Sequence, residues 1–305
     1  MDRRGFLGGA LAALGGLPGV SSADAKGNQE KAALKLSSQS WRVPGRDLRE
    51  KVLRLEQWGA AGVEIHGSKL PAQVDEVKRA LKGTSIRVSA LCGGRKGVII
   101  SPDNAVRRQL VERMKELLTA AGELGASGQI LVPAFNRQEQ LPHREARRVM
   151  VDLLGELGEH ARREGTTVLL EPLSRKTAFF LRQLADAASI CRDVGSPGAA
   201  MMGDFYHMYL EETSDLGAIL SAGRWLHHVH LASGSRTLPG QDDRSFVQGF
   251  RGLKLIGYRG YCSLECDIEG DPLVEIPKSF EFLRRQWQQA TVGDFGSLID
   301  LRSEA

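Results

Sequence analysis

Four side chains of metal-binding type recur at near-regular intervals in the second half of the chain. Glu171 closes the apolar run TTVLLEPL, Asp204 stands in AAMMGDFYH, His230 in LHHVHLA and Glu265 in YCSLECDI. The intervals are 33, 26 and 35 residues, each about one strand-plus-helix unit. A buried strand has no use for a charged carboxylate unless something pairs with it. Any one of these residues could sit in a salt-bridged core pair, since buried charges are usually paired. The four together read differently: three carboxylates and one imidazole, with no obvious cationic partner in the same strands. A divalent cation satisfies all of them, and three oxygen donors with one nitrogen suit Mn²⁺, Mg²⁺ or Co²⁺ better than a sulfur-rich zinc site. One divalent ion, Mn²⁺ foremost, is expected on Glu171, Asp204, His230 and Glu265.

The elements that must deliver these residues follow one alternation. Apolar runs of strand length at 36–42, 62–66, 86–92, 130–135, 167–172, 200–205, 226–231 and 261–267 alternate with stretches of helical period, such as 105–124, 144–163 and 181–194. The runs are near-continuously apolar, which suits a parallel sheet buried on both faces. Eight such units predict an α/β fold, a single (β/α)8 barrel; a doubly wound open sheet is the alternative. Chemistry in such a barrel sits where strands end and loops begin. The last four strands would each bring one ligand to the same rim, and strand alternation lets all four point inward.

The chain opens MDRRGFLGGALAALGGLPGVSSADA. A positive start, a short apolar stretch and the small-x-small site Ala23-Asp24-Ala25 read as an export signal over 1–25. Arg3-Arg4 gives it a twin-arginine (Tat) character, although Asp2 and Gly8 depart from that pattern. An ordinary secretory signal or an uncleaved anchor is the alternative. The barrel is expected over 26–290 and a polar peripheral tail over 291–305, in an exported, periplasmic protein with no stable membrane insertion after signal removal. Net charge is +4, with no basic run longer than pairs such as Arg147-Arg148, so no nucleic-acid partner is indicated. Cys92 and Cys266 read as small buried apolar residues. Cys262 and Cys266 lie in one expected strand roughly 13 Å apart, too far for a disulfide.

The segments VLLEPLSR, GDFYHM, HHVHLASGSRTLPG and GYCSLEC, with GVEIHG, VSALCGG and LVPAF upstream, resemble the xylose isomerase-like sugar isomerase and epimerase superfamily. The ketose 3-epimerase and hydroxypyruvate isomerase groups are the most similar, and the resemblance runs over nearly the whole mature chain. It implies that Glu171, Asp204, His230 and Glu265 hold one divalent metal, that Glu171 and Glu265 also move protons, and that His207 and Arg236 contact substrate. The implied activity is isomerisation or epimerisation of a small sugar or hydroxy-keto compound. A proton leaves a carbon next to a carbonyl, a metal stabilises the enediolate charge, and two carboxylates on opposite faces remove and return the proton.

The remaining residues carry their own readings. His207 could hydrogen-bond a developing oxyanion or simply pack at the rim. Arg236, in a loop of Gly, Ser and Pro, could fork onto a substrate oxygen or stand in solvent. Glu64, in phase with His66 on the second strand, is read as a substrate contact or as support one layer behind the ligands. Trp41, at the end of the first strand, could form an apolar wall against the sugar, though large aromatics are mostly core. His228, one layer deeper than His230, is read as packing or hydrogen-bonding.

Three rival functions remain. A lyase, either a dehydratase or a keto-glycoside eliminase, could use the same site. An apurinic-site endonuclease-like zinc phosphodiesterase would need a histidine where Leu91-Cys92-Gly93 stands and an aspartate at His228. A non-catalytic sugar-binding barrel would have no need to keep all four ligands. An exported location argues against phosphorylated sugars and for a free sugar or keto-sugar partner. Barrels of this family often pair, which leaves a homo-oligomer open.

Overall fold

The eight apolar runs become eight parallel strands that close on themselves, β1 pairing with β8, in a computed structural model that describes residues 32–292. Strands and helices follow in the order β1 (Lys35–Gln39), α1 (Leu48–Gln57), β2 (Gly62–His66), α2 (Val74–Leu81), β3 (Arg87–Cys92), α3 (Asn104–Glu123), β4 (Gln129–Leu131), α4 (His143–Arg163) and β5 (Val168–Leu170). The second half continues with α5 (Leu184–Val194), β6 (Ala199–Asp204), α6 (Phe205–Glu211), α7 (Asp215–Ala222), β7 (Leu226–Leu231), α8 (Val247–Leu255), β8 (Tyr261–Leu264) and α9 (Pro272–Gln289). This is the single (β/α)8 barrel, and the open-sheet alternative falls. The export signal read over 1–25 lies outside the described residues, as does the tail beyond 292. Among the described residues no helix is long and apolar enough to cross a membrane.

Each helix buries a stripe at helical spacing. In α3 the stripe is Leu110, Val111, Met114, Leu117, Leu118 and Ala121, and burying each large side chain contributes roughly 1.5–3 kcal/mol. The start of α3 is fixed by Asp103, which accepts the Ala105 N–H at 2.7 Å. Inside the barrel the packing follows a period of two. A separate apolar cluster of Ala90, Ile130, Leu169, Ala200 and Met202 includes Leu169 and Met202, which lie two residues before Glu171 and Asp204 on the same strand face. The register pairs Met202 with His228, Asp204 with His230 and His230 with Ser263, so the inward positions of β6, β7 and β8 line up.

Strands β1, β4, β5 and β8 stop well short of the ends of their apolar runs, at Gln39, Leu131, Leu170 and Leu264. The cause is burial without pairing. Val132 and Ala134 remain buried after the β4 ladder ends, so apolarity outlasts the strand. Glu171 and Glu265 sit one residue past β5 and β8, yet their N–H groups still donate to Leu131 and Leu231 carbonyls at 3.0 and 3.3 Å. Cys266 therefore lies beyond β8 rather than within it. All four cysteines are free, and Cys92 is only partly buried.

Candidate metal centre and active site

Glu171, Asp204, His230 and Glu265 converge at the C-terminal mouth. One ligand atom from each lies within 4.8 Å of every other. Asp204 and His230 are fully buried and Glu171 nearly so. Asp204 ends β6 and also starts α6, since its Oδ1 accepts the Tyr206 N–H at 2.8 Å. That contact fixes one carboxylate oxygen and leaves the other facing the cluster.

His230 is held from both sides. Its Nε2 meets Glu64 Oε2 at 2.8 Å and its Nδ1 meets Glu265 Oε2 at 3.1 Å. Glu64 is fully buried; it also meets His228 Nε2 at 3.1 Å and accepts from Gln39 Nε2 at 2.9 Å. Of the two roles read for Glu64, its geometry is that of support behind the ligands: it orients His230 so that Nδ1 faces the cluster. His228 is the hydrogen-bonding residue expected one layer deeper. Burial opposes charge on Glu64, but His230 and the bonds from both histidines outweigh it and hold the carboxyl below its ordinary range. Burial likewise works against the His230 cation, and Glu64 with Glu265 overcomes it, raising His230 well above its usual value.

The expectation that the acids lack a cationic partner needs correction. None stands in the strands, but Arg236, from the loop after β7, reaches across them. Its Nη1 donates to Asp204 Oδ2 at 2.7 Å and its Nη2 to Glu265 Oε2 at 2.6 Å. Its backbone sits at φ 66, an uncommon region for a non-glycine residue, and its guanidinium lies 4.6 Å from the Tyr206 ring centre. The loop type gave no hint of this reach.

His207 is buried in the first turn of α6. Its Nδ1 accepts the Ser174 N–H at 3.1 Å, which places the proton of the neutral ring on Nε2, 3.8 Å from Asp204 Oδ2. Burial pushes its pKa down, so it presents a neutral N–H to the mouth. Trp41 departs from a core aromatic: it is 40% exposed, edge-on to His66 at 5.3 Å.

Two members of the network escaped sequence reasoning. Gln39 Nε2 donates to both Glu64 Oε1 and Glu265 Oε1, at 2.9 and 2.8 Å, and Ser174 fixes the His207 ring. Gln39 had a usable signal, since it ends β1 as Glu171 follows β5.

The donor set fits a divalent cation. Among the described residues no side-chain or backbone group donates a hydrogen bond to the buried Glu171 carboxylate, and His230 Nδ1 stands 3.9 Å away. Burial and the Glu265 charge push the Glu171 pKa well up. Glu265 goes the other way: burial alone would raise it, but His230 and Arg236 hold it low. An oxygen-rich site with an unsatisfied acid is the kind that a hard cation completes. The second possible ligand group, Glu64, His228 and His230, is already joined by its internal hydrogen bonds.

Comparison with known proteins agrees with this fold. A family described as Xylose isomerase-like TIM barrel matches residues 52–286, and the chain belongs to it. Among its relatives is a 3-dehydro-D-guloside 4-epimerase of Escherichia coli (strain K12), 31% identical over 261 residues, which cover 82% of this chain and 99% of that one. A D-psicose 3-epimerase of Ruminiclostridium cellulolyticum is 24% identical, over 88% of this chain and 91% of the relative. The crystal structure of a 3-keto-D-glucoside 4-epimerase from E. coli superposes with a TM-score of 0.77 at 30% identity, covering 83% of this chain and 100% of that one.

Proposed function

We propose that this protein is a divalent-metal-dependent sugar epimerase that removes and returns a proton on a carbon next to a carbonyl. The observation that carries this is the convergence of Glu171, Asp204, His230 and Glu265 within 4.8 Å, with Glu171 left without a hydrogen-bond donor among the described residues. The reading is supported by the relatives, which by name are epimerases of keto-glycosides and ketoses.

Glu171, Asp204, His230 and Glu265 would hold the ion, with Mn²⁺ foremost and Mg²⁺ or Co²⁺ as alternatives. Bound there, it would supply Lewis-acid stabilisation of the negative charge that develops on the substrate oxygens. The chain's own groups do the rest. Glu171 and Glu265 reach the mouth from β5 and β8 and are the pair of carboxylates placed to act on opposite faces of a bound sugar. One takes the proton from one face of the carbon and the other returns a proton to the opposite face, which inverts that centre. His207 Nε2–H and the Arg236 guanidinium donate to substrate oxygens and orient the sugar. Gln39 and Glu64 hold Glu265 and His230 in place. The buried floor excludes water from the reacting carbon.

The test has two parts. Purified protein is analysed for metal, with add-back of Mn²⁺, and keto-sugars are then incubated with it in D₂O. About one equivalent of metal, absent from Asp204→Ala, with deuterium appearing at the epimerised carbon, is the expected result. Two or three tightly held zinc ions would point to the endonuclease-like reading. A free sugar or enone product without isomer exchange would make the protein a lyase. No metal after add-back would overturn the mechanism. We also infer export through the twin-arginine route on the strength of residues 1–25; an Arg3→Lys/Arg4→Lys variant should stay in the cytoplasmic fraction.

A further inference from the structure

The loops after β2 and β3 enclose a cleft of about 850 Å³ that the metal-side chemistry does not use. It runs outward from the rim along α3, past Gln109 and Arg113. His66 lines it and meets Trp41 at 5.3 Å. Arg95 lines it too, half-buried, 5.1 Å from the Phe135 ring centre and within electrostatic reach of Glu171.

The walls are fixed. Gly94, at φ 76, packs its backbone on Gly67; a side chain there would run into the Gly67 backbone. Arg113 joins both loops, donating to the carbonyls of Gly94, Gly67 and Leu70 at 3.0, 3.0 and 2.8 Å. The cleft is therefore preformed.

Its charge is one-sided. Lys69, Arg95 and Lys96 all line it, and among the described residues none of the three has a hydrogen bond or ion pair from its side-chain charge. The acids on the same wall are matched, Glu112 by Arg108 and Lys115, and Glu116 by Arg113. Lys69, Arg95 and Lys96 face a volume as large as a typical ligand pocket.

We propose that this cleft is a second subsite, which takes the distal part of a glycoside substrate, and that this distal part carries an anionic group, a carboxylate or a phosphate. The identity of the sugar at the metal end rests on the epimerase reading; the charge preference of the cleft does not. Trp41, edge-on to His66 at the inner end of the cleft, gives the sugar an apolar face. Arg95, shielded by its burial, anchors the anion, and Lys69 with Lys96 add to its attraction.

The test is calorimetric binding to the metal-loaded protein with two matched pairs: lactose against lactobionate, and trehalose against trehalose 6-phosphate. The charged member of at least one pair should bind about tenfold tighter, with that preference shrinking at high salt. Whichever pair shows it identifies carboxylate or phosphate. Lys69→Glu/Lys96→Glu should abolish the preference, and Lys69→Arg/Lys96→Arg should keep it. Equal binding within both pairs, no binding of any of the four, or a preference that survives the charge reversal would overturn the proposal. No turnover is needed, so a protein that never epimerises a sugar can still show the preference. An active epimerase without it would sink this inference alone.

Discussion

The C-terminal ends of β5 to β8 bring Glu171, Asp204, His230 and Glu265 within 4.8 Å of one another, with only Glu265 partly exposed, whereas the ends of β1 to β4 and the loops after them carry Trp41, His66, Arg95 and Phe135 toward solvent. Asp204 and His230 are 0% exposed, while Trp41 and Phe135 are 40% and 38% exposed. One half of the mouth is an acidic floor whose side chains have few alternatives. The other is an aromatic and cationic rim whose side chains are free to adapt. Proton transfer needs groups held in place away from water, while recognition needs reach. The barrel separates these demands by strand number, and substitutions on the two sides should therefore fail in different ways.

The largest effects belong to the floor. Glu171→Gln and Glu265→Gln each keep shape and lose the proton-carrying group. Each should lower kcat roughly a thousandfold, the usual scale for a lost acid–base catalyst, with KM changed far less. Steady-state kinetics with deuterium exchange would show it. A variant that kept exchange but lost net epimerisation would mark its residue as the group serving the second face. Unchanged turnover in either would remove that glutamate from the acid–base pair.

Next comes Glu64, which never meets solvent. Glu64→Ala leaves two buried histidines without their carboxylate, and breaking a buried charged network of this kind costs about 3–5 kcal/mol. The milder Glu64→Gln should still weaken metal binding about 10- to 100-fold through a misoriented His230. Titration calorimetry and thermal melting separate the two effects. The metal-free protein should also show an acid limit. Glu64 has a folded pKa held below its unfolded value of 4.5. Its contribution is therefore complete above that pH and is lost as pH falls toward the folded value. A wild-type stability curve that stayed flat below pH 4.5, or one that Glu64→Gln left unaltered, would contradict the arrangement.

The floor was also the more legible half. Its four ligands follow apolar strand runs at βα-unit spacing, and β2 and β7 fall on 62–66 and 226–231 as their patterns indicate. What the sequence hid arises only when the barrel closes. Gln39 and Glu265 are 226 positions apart, yet they bond because β1 lies beside β8. Arg236 sits in a loop whose composition says nothing about direction, and only the backbone turn at φ 66 sends it over Asp204. The rim was harder still. Trp41 could be named, but the cleft depends on Gly94 lying against Gly67, a contact between two loops with no shared periodicity.

Arg236 spans the boundary, since it serves as counter-ion to the floor and faces the substrate. Arg236→Ala leaves Asp204 and Glu265 without that partner, so the metal-free protein should lose about 1–2 kcal/mol, discounted because the guanidinium is partly exposed. A divalent ion would neutralise the same acids, so the metal-loaded variant should lose less. Melting curves in chelator and in Mn²⁺ test this directly. Equal losses in both would mean that the Arg236 contacts with Asp204 and Glu265 contribute little, and the comparison would lose its bridge.

The smallest effect should come from the rim itself. Trp41→Ala removes an exposed aromatic whose only ring partner among the described residues is His66. A sugar face packed on such a ring gains roughly 0.5–1.5 kcal/mol, so KM should rise about three- to tenfold while kcat stays within about twofold. Trp41→Phe should recover most of the loss, because it keeps a flat apolar face. A fall in kcat with KM unchanged would show instead that Trp41 acts on the chemistry. The division between a fixed acidic floor and an adaptable rim would then have to be redrawn at β1, where Gln39 already reaches across to Glu265.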